Sequence, residues 1–273
     1  MIAFPNAKIN LGLYITGKRD DGYHNIASIF LPIGLKDALE VLPSNTTSLN
    51  IHGMDVPGRE EDNLCWKAYK LLKQDFDIPP VAIHLLKHIP MGAGLGGGSA
   101  DGAFMLKLLN EQFELRCSTI QLEDYAAQLG SDCIFFIQNT AAYVTGRGEI
   151  IEGCPLDLSG YQAALVYPKL HMSTAEAYQY VQLCQPNLDL KQLQNTDLTK
   201  VELINAFEQV FFQKHPHTQD IKSMLQDSGA IYASLSGSGS AFYGIFERTH
   251  SDFTAIKHFC LEHNYDFFLT NIL

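Results

Sequence analysis

Paired cysteines, an excess of basic charge and long apolar runs are all missing from this 273-residue sequence. Each gap closes off a class of function. The six cysteines, at positions 65, 117, 133, 154, 184 and 260, form no C-x-x-C pair, and free thiols fit them better than disulfides. No apolar run approaches the roughly 18 residues that a membrane-spanning helix needs, so no membrane partner is expected. Lysine and arginine number 19 against 30 acidic residues, a net charge of −11, which argues against a nucleic-acid partner held by a basic surface. His215-x-His217 flanks Pro216 with no third ligand in view and reads as a surface loop. No signal-peptide pattern opens the chain, so free thiols in a reducing, cytoplasmic setting are expected. The sequence has no internal repeats. It names no metal ligand and no oligomeric state.

What is present is concentrated between Pro90 and Asp101. Five glycines occupy seven positions, 92 to 98, and an apolar, helix-like run follows. Residues 81–85 alternate as a strand does, and Pro90 stops that pattern. Strand, glycine loop and helix make an ordered unit rather than a linker, which is usually Gly/Ser-rich between polar flanks. Glycine leaves no Cβ between backbone and ligand, and the helix start directs unsatisfied N–H groups at the same spot. The unit is therefore read as a polyphosphate site. It is not a Walker A loop, because no lysine closes it. Gly92 to Gly97 matches G-x-G-x-x-G, but no acidic residue about 20 positions on ends a following strand, as a dinucleotide site requires. The H-R-D and D-F-G motifs of protein kinases are absent.

Periodicity predicts an α+β chain. Strands are expected over residues 7–15, 25–33, 38–42, 81–89, 141–144, 149–151 and 163–167, around a small-residue turn within 232–246, and over 265–269. Helices are expected over 64–76, 99–111, 118–129, 174–184, 201–213, 219–227 and 252–263. Ser118 and Gln121 have the spacing of a capping box, and Gly130 suits the stop of that helix. Asp132 follows at once and leads into the apolar run 133–137. In the first strand Lys8 and Asn10, two residues apart, share one face. A boundary is placed near 154–160, giving an N-terminal domain over 1–155 and a C-terminal domain over 156–273.

Three segments, Pro5 to Leu11, the glycine loop over 90–103, and Leu235 to Ser240, resemble in order and spacing the three motifs of the GHMP kinases, small-molecule kinases that phosphorylate alcohols. The resemblance covers nearly the whole chain. It implies a two-domain fold, with a ribosomal-protein-S5-like N-terminal domain and a ferredoxin-like C-terminal one. It implies ATP as co-substrate and Mg²⁺ beside its phosphates. Gly22-Tyr23-His24, Asn63-Leu64, the unbroken Gly96-Gly97-Gly98-Ser99 and Leu129 to Asp132 are similar to the branch whose alcohol carries cytidine diphosphate. That branch phosphorylates a 2-hydroxyl in the non-mevalonate route to isoprenoid precursors.

Carried over residue by residue, the resemblance implies Asp132 as general base and Lys8 as its cationic partner. It implies Pro90, Gly92, Ala93, Gly94, Leu95, Gly96, Gly97, Gly98, Ser99 and Asn63 as the ATP site. Asn10, Tyr23, His24, Tyr178, Gly237, Ser238 and Gly239 are implied as the substrate site, with an aromatic ring on the cytosine and the 236–239 turn near the diphosphate or bracing the ATP loop. The chain departs from the pattern at Ala100, where a second serine is usual, at Gly102, where alanine is usual, and at Ser131, another alanine position. Other alcohol acceptors within the family, and a nucleotide-binding relative without catalysis, are the competing readings.

Overall fold

Alternating apolar residues carry the start of the chain into two long strands. The computed structural model describes residues 1–195 and 198–273. In chain order the elements are β1 (Ile2–Ala3), β2 (Asn6–Lys18), β3 (His24–Lys36), β4 (Ala38–Pro43), β5 (Ser48–Gly53), α1 (Leu64–Asp75), β6 (Val81–Lys87), α2 (Gly97–Gln112), α3 (Thr119–Leu129), α4 (Ser131–Gln138), β7 (Ala142–Gly146), β8 (Ile150–Gly153), β9 (Tyr161–Tyr167), α5 (Thr174–Tyr180), α6 (Phe207–Lys214), α7 (Gln219–Asp227), β10 (Tyr232–Leu235), β11 (Phe242–Glu247), α8 (Thr254–His263) and β12 (Asp266–Asn271).

Packing groups them into two compact units that each draw on separated stretches of chain. The first unit comprises Met1–Ala7, Leu35–Met91 and Gly96–Thr140. Its sheet has the order β1-β4-β6-β5, with β5 parallel to β6 and the other pairs antiparallel. Val81, Ile83 and Leu85 alternate inward along β6 and are fully buried, each contributing about 1.5–3 kcal/mol of apolar burial. They face the helical layer, in which α1, α3 and α4 all pack on α2. Ala100, Ala103, Met105, Leu106, Leu108 and Leu109 leave α2 apolar almost all round, which suits a helix enclosed by others. Gly102 sits where a Cβ would come within 2.9 Å of the Leu64 Cβ, so the glycine permits the close approach of α1.

The second unit comprises Lys8–Gly34, Gly92–Leu95 and Ala141–Leu273. One sheet runs β2-β3-β7-β8 and the other β10-β11-β9-β12. In the latter, β9 pairs antiparallel with both β11 and β12. Helix α7 packs on β10 and β11, and α8 on β12.

Two expected helices are shorter in the structure. The helix expected over 201–213 begins only at Phe207, because the backbone before it pairs with β2: the Leu13 amide donates to Ile204 and the Ala206 amide to Leu13, each at 2.8 Å. Asn205 then accepts from the Phe207 amide at 2.9 Å and starts the helix. The helix expected over 174–184 stops at Tyr180, since Val181 is extended and the Cys184 amide donates to Ile15. The apolar run 133–137 is the body of α4. Strand β5, parallel to β6, was not expected; its sequence, Ser-Leu-Asn-Ile-His-Gly, is short and mixed.

Candidate active site

The glycine loop leaves β6 at Lys87 and enters α2 at Gly97. Its middle, Gly92–Leu95, belongs to the second unit, where a turn of the chain holds it by the backbone. The Ser236 hydroxyl donates to the Gly94 carbonyl at 2.9 Å, the Ala241 amide to the Ala93 carbonyl at 3.1 Å, and the Lys8 amide to the Leu95 carbonyl at 2.9 Å. Three successive carbonyls are thus engaged on the protein side. Gly94 has φ +76°, and a Cβ there would lie 1.8 Å from the Ser236 carbonyl oxygen. The loop and the Leu235–Ser240 motif, 142 residues apart at Gly94 and Ser236, interlock at a spot with no room for a side chain. Gly237 and Gly239 lie beside that close approach to Gly94, and Ser238 faces Thr174 with hydroxyl oxygens 3.3 Å apart.

Lys8 and Asn10 do share a face of β2, but it is an interior face: both are about as buried as Ile9 between them. Lys8 Nζ donates to Asn10 Oδ1 at 2.7 Å, the Gly237 amide donates to the same oxygen at 3.0 Å, and Asn10 Nδ2 donates to Ser28 Oγ at 3.1 Å. Tyr243 donates its hydroxyl to the Asn10 carbonyl. A buried lysine is held this way because its ammonium must be hydrogen-bonded once removed from water. Phe30 adds its ring face, 4.4 Å from Nζ. Asn10 therefore joins the first motif to the third.

In the first unit, the start of α2 supplies the amides of Gly97, Gly98 and Ser99, which have no partner within the helix. Ser99 lies against Cys133 of α4; burial pushes that thiol up to about 12, and a hydrogen bond with Ser99 pulls the other way. Asp132, half-buried, stands in the first turn of α4, where the helix dipole favours a carboxylate. The starts of α2 and α4 are therefore neighbours, with Asp132 one residue from the contact. Asn63 caps α1, accepting from the Cys65 amide at 2.9 Å. It also lines a cleft of about 380 Å³ together with Leu64, Met91 and Gly98. Pro90 is buried at the loop's entry, and Ala100, with no hydroxyl, is buried as well. Lys8 belongs to the second unit and Asp132 to the first.

The aromatic candidates fall into two groups in the second unit. His24, at the start of β3, stacks on Tyr178 of α5 with centroids 5.0 Å apart, and Tyr178 meets Phe207 edge-on. These rings already touch, so no base fits between His24 and Tyr178 in this arrangement. Tyr23 is 58% exposed at the tip of the turn, and the Arg147 guanidinium lies 5.0 Å from its ring centroid. Asp21 fixes that turn by accepting from the Tyr23 amide at 3.1 Å while pairing with Arg19. The amide bond comes first, ahead of Arg19, in holding the Asp21 carboxyl below its usual range.

Sequence reasoning missed Arg147 and Phe207. Gly146-Arg147-Gly148 carried a signal, an arginine between two glycines at a strand end, whereas nothing sets Phe207 apart within the helix-like run 201–213. It also missed Asp37, Lys87 and Asp101, whose carboxylates and ammonium meet in the interior of the first unit.

Residues 63–146 match the GHMP kinases N terminal domain, and residues 189–263 match the GHMP kinases C terminal domain. A 4-diphosphocytidyl-2-C-methyl-D-erythritol kinase of Bacteroides thetaiotaomicron is 51% identical over 253 residues, covering 90% of this chain and 92% of the relative. One of Bacteroides fragilis is 48% identical over 272 residues, covering 96% and 98%. Among solved structures, a 4-(cytidine 5'-diphospho)-2C-methyl-D-erythritol kinase superposes with TM-score 0.81 at 27% identity, over 99% of both chains.

Proposed function

The chain belongs to the GHMP kinase family, and on that premise we propose that it uses ATP to phosphorylate the 2-hydroxyl of 4-diphosphocytidyl-2-C-methyl-D-erythritol, a step of the non-mevalonate route to isoprenoid precursors. It is a small-molecule kinase with ATP as co-substrate. The observation that carries the mechanistic reading is the packing of α2 on α4 in the first unit, with Cys133 near Ser99 and Asp132 the residue before it. That would set a carboxylate near the helix start proposed to hold the phosphates, where a base for in-line phosphoryl transfer is of use.

In this reading the substrate hydroxyl oxygen bonds to the γ-phosphorus as the bond from that phosphorus to the β,γ-bridging oxygen breaks. ADP leaves, and the hydroxyl proton passes to Asp132. The Lys8 ammonium, buried and aimed by Asn10, stabilises the developing alkoxide. Pro90, Gly92, Ala93, Gly94, Leu95, Gly96, Gly97, Gly98 and Ser99 carry the phosphates, and the cleft beside Asn63 takes the nucleoside. Magnesium would enter with those phosphates and neutralise their charge. Among the described residues no group of three or more His, Cys, Asp and Glu side chains could hold a metal, so no step is assigned to it. The cytidine end falls to Tyr23, His24 and Tyr178, with Gly237, Ser238 and Gly239 near the diphosphate. The division at residues 1–155 and 156–273 is proposed as that of the two family domains. The proposed location is cytoplasmic; among the described residues no helix is long and apolar enough to cross a membrane.

Release of ADP from ATP and Mg²⁺ tests the substrate, with the cytidyl compound, methylerythritol lacking that group, homoserine and mevalonate as acceptors. Turnover is expected with the cytidyl compound alone. Turnover with another alcohol would overturn the substrate, and none with any acceptor would favour a nucleotide-binding protein without catalysis. Within the same assay, Tyr23→Ala is expected to raise KM for the cytidyl substrate about tenfold, since stacking on a base is worth about 1–3 kcal/mol. An unchanged KM would remove Tyr23 from base recognition.

A further inference from the structure

Both ends of the phosphate loop are tied to one buried ammonium. Lys87, the last residue of β6, donates to Asp37 Oδ2 and, at 2.7 Å, to Asp101 Oδ2 in α2. Asp37, in the link between β3 and β4, also takes the amides of His88 and Ile89 on its Oδ1, at 2.6 and 2.9 Å. Lys87 Nζ lies 3.4 Å from the point a Cβ on Gly97 would occupy, directly under the first residue of α2. Side-chain exposure is 0% for Lys87, 0% for Asp37 and 4% for Asp101.

Two carboxylates and one ammonium leave an uncompensated negative charge if both acids ionise. Such a charge is costly away from water, and a proton on the less well bonded carboxyl removes it. Asp37 accepts three hydrogen bonds; Asp101, a residue of the cleft that Gly98 also lines, has its buried Oδ1 without a partner. The proton therefore belongs on Asp101.

We infer that Asp37, Lys87 and Asp101 are positioning residues that set the phosphate loop, and that Asp101 must keep its proton for the loop to bind a nucleoside triphosphate at full affinity. The inference rests on the reading of that loop as the ATP site. Burial, reinforced by Asp37 and opposed by Lys87, raises the Asp101 carboxyl to about 8. Burial works against the charge of Lys87, but Asp101 and Asp37 outweigh it and hold the ammonium above its usual range. From α1, Cys65 faces the cluster; burial pushes its thiol well above the ordinary value, so it stays neutral. Arg59, Glu60 and Asp62 line the same cleft, and His88 follows Lys87 in the chain.

The linkage has a definite sign. Ionised Asp101 leaves a net negative charge under a loop that must hold phosphates, so ATP prefers the protonated form. ATP binding then takes up a proton near pH 8, and affinity falls by up to about tenfold per pH unit above it. Calorimetric titration of the full chain with ATP, at pH 7, 8 and 9 in buffers of different ionisation enthalpy, measures both. Asp101→Asn keeps a neutral acceptor for Lys87 and removes the titrating group, so its proton uptake near pH 8 is expected to vanish and its alkaline loss of affinity with it. Wild-type binding without proton uptake near pH 8, or an Asn variant with undiminished uptake, overturns the inference. If that variant does not fold, the wild-type uptake decides alone, supported by loss of a protonated-carboxyl infrared band between pH 7 and 9. Failure of ATP to bind at any pH would instead sink the kinase reading, and the infrared titration would still decide where the proton sits.

Discussion

Asp132→Asn is expected to lower kcat by on the order of 10² or more, the usual contribution of a positioned general base. The exchange keeps the size of the side chain and leaves the first turn of α4 in place, so the thermal midpoint should move little. ATP binding should not weaken, because a negative charge is removed from the vicinity of the helix starts that carry the phosphates. This split separates a proton acceptor from a residue that merely shapes the site: a shaping residue would move KM for ATP or the midpoint along with kcat. Rapid-quench single-turnover measurements are the sharper form of the test, since they isolate the transfer step from product release. A folded variant that transfers phosphate at the parent rate would take Asp132 out of the mechanism.

Gly94→Ala carries the largest expected effect on stability, a loss of at least about 3 kcal/mol. Two costs add. The residue sits at φ +76°, where a Cβ costs about 1–2 kcal/mol, and the new atom would lie 1.8 Å from the Ser236 carbonyl oxygen. The obstacle is backbone on the far side, with Gly239 N also within 3.2 Å, so no rotamer change relieves it. Gly98→Ala in the same loop makes the contrast. It lies in the first turn of α2, and its Cβ would meet only the flexible end of Met91 at 3.9 Å. Its stability should hold or rise by up to about 1 kcal/mol from helix propensity. It is expected instead to raise KM for ATP, because the methyl group enters the cleft that Gly98 lines. Chemical denaturation and nucleotide titration on the two variants give opposite patterns if the loop is braced at Gly94 and open at Gly98. Equal stability losses would contradict this.

What could be read from the sequence was what depends on near neighbours. The strand before the glycine loop and the helix after it came from local alternation and from Pro90. The capping box at Ser118 and Gln121 came from spacing alone and is present with both bonds made. Lys8 and Asn10 were assigned to one face by the two-residue period of a strand. What could not be read is held together by distant chain. Asp37, Lys87 and Asp101 are ordinary charged residues in their own segments, and only the fold makes them a buried cluster. The late start of α6 follows from Leu13, nearly two hundred positions earlier, taking the backbone around Asn205 into pairing. The direct stacking of His24 on Tyr178 depends likewise on contacts that no local window contains.

The order in which the chain is made gives the interleaved units a kinetic meaning. Strands β2 and β3 leave the ribosome long before their partners, for Ile26 pairs with Gly146, and Leu13 with the backbone at Asn205. The first unit can close once Thr140 has been made, while residues 8–34, whose two strands carry many of the buried apolar side chains of the second unit, still wait for partners. Long-range pairing of this kind is slow, and it leaves strand edges open to other chains meanwhile. Aggregation during synthesis should therefore depend on how fast residues 141–273 follow, and a pause in translation just after 140 would be the most damaging place to stall.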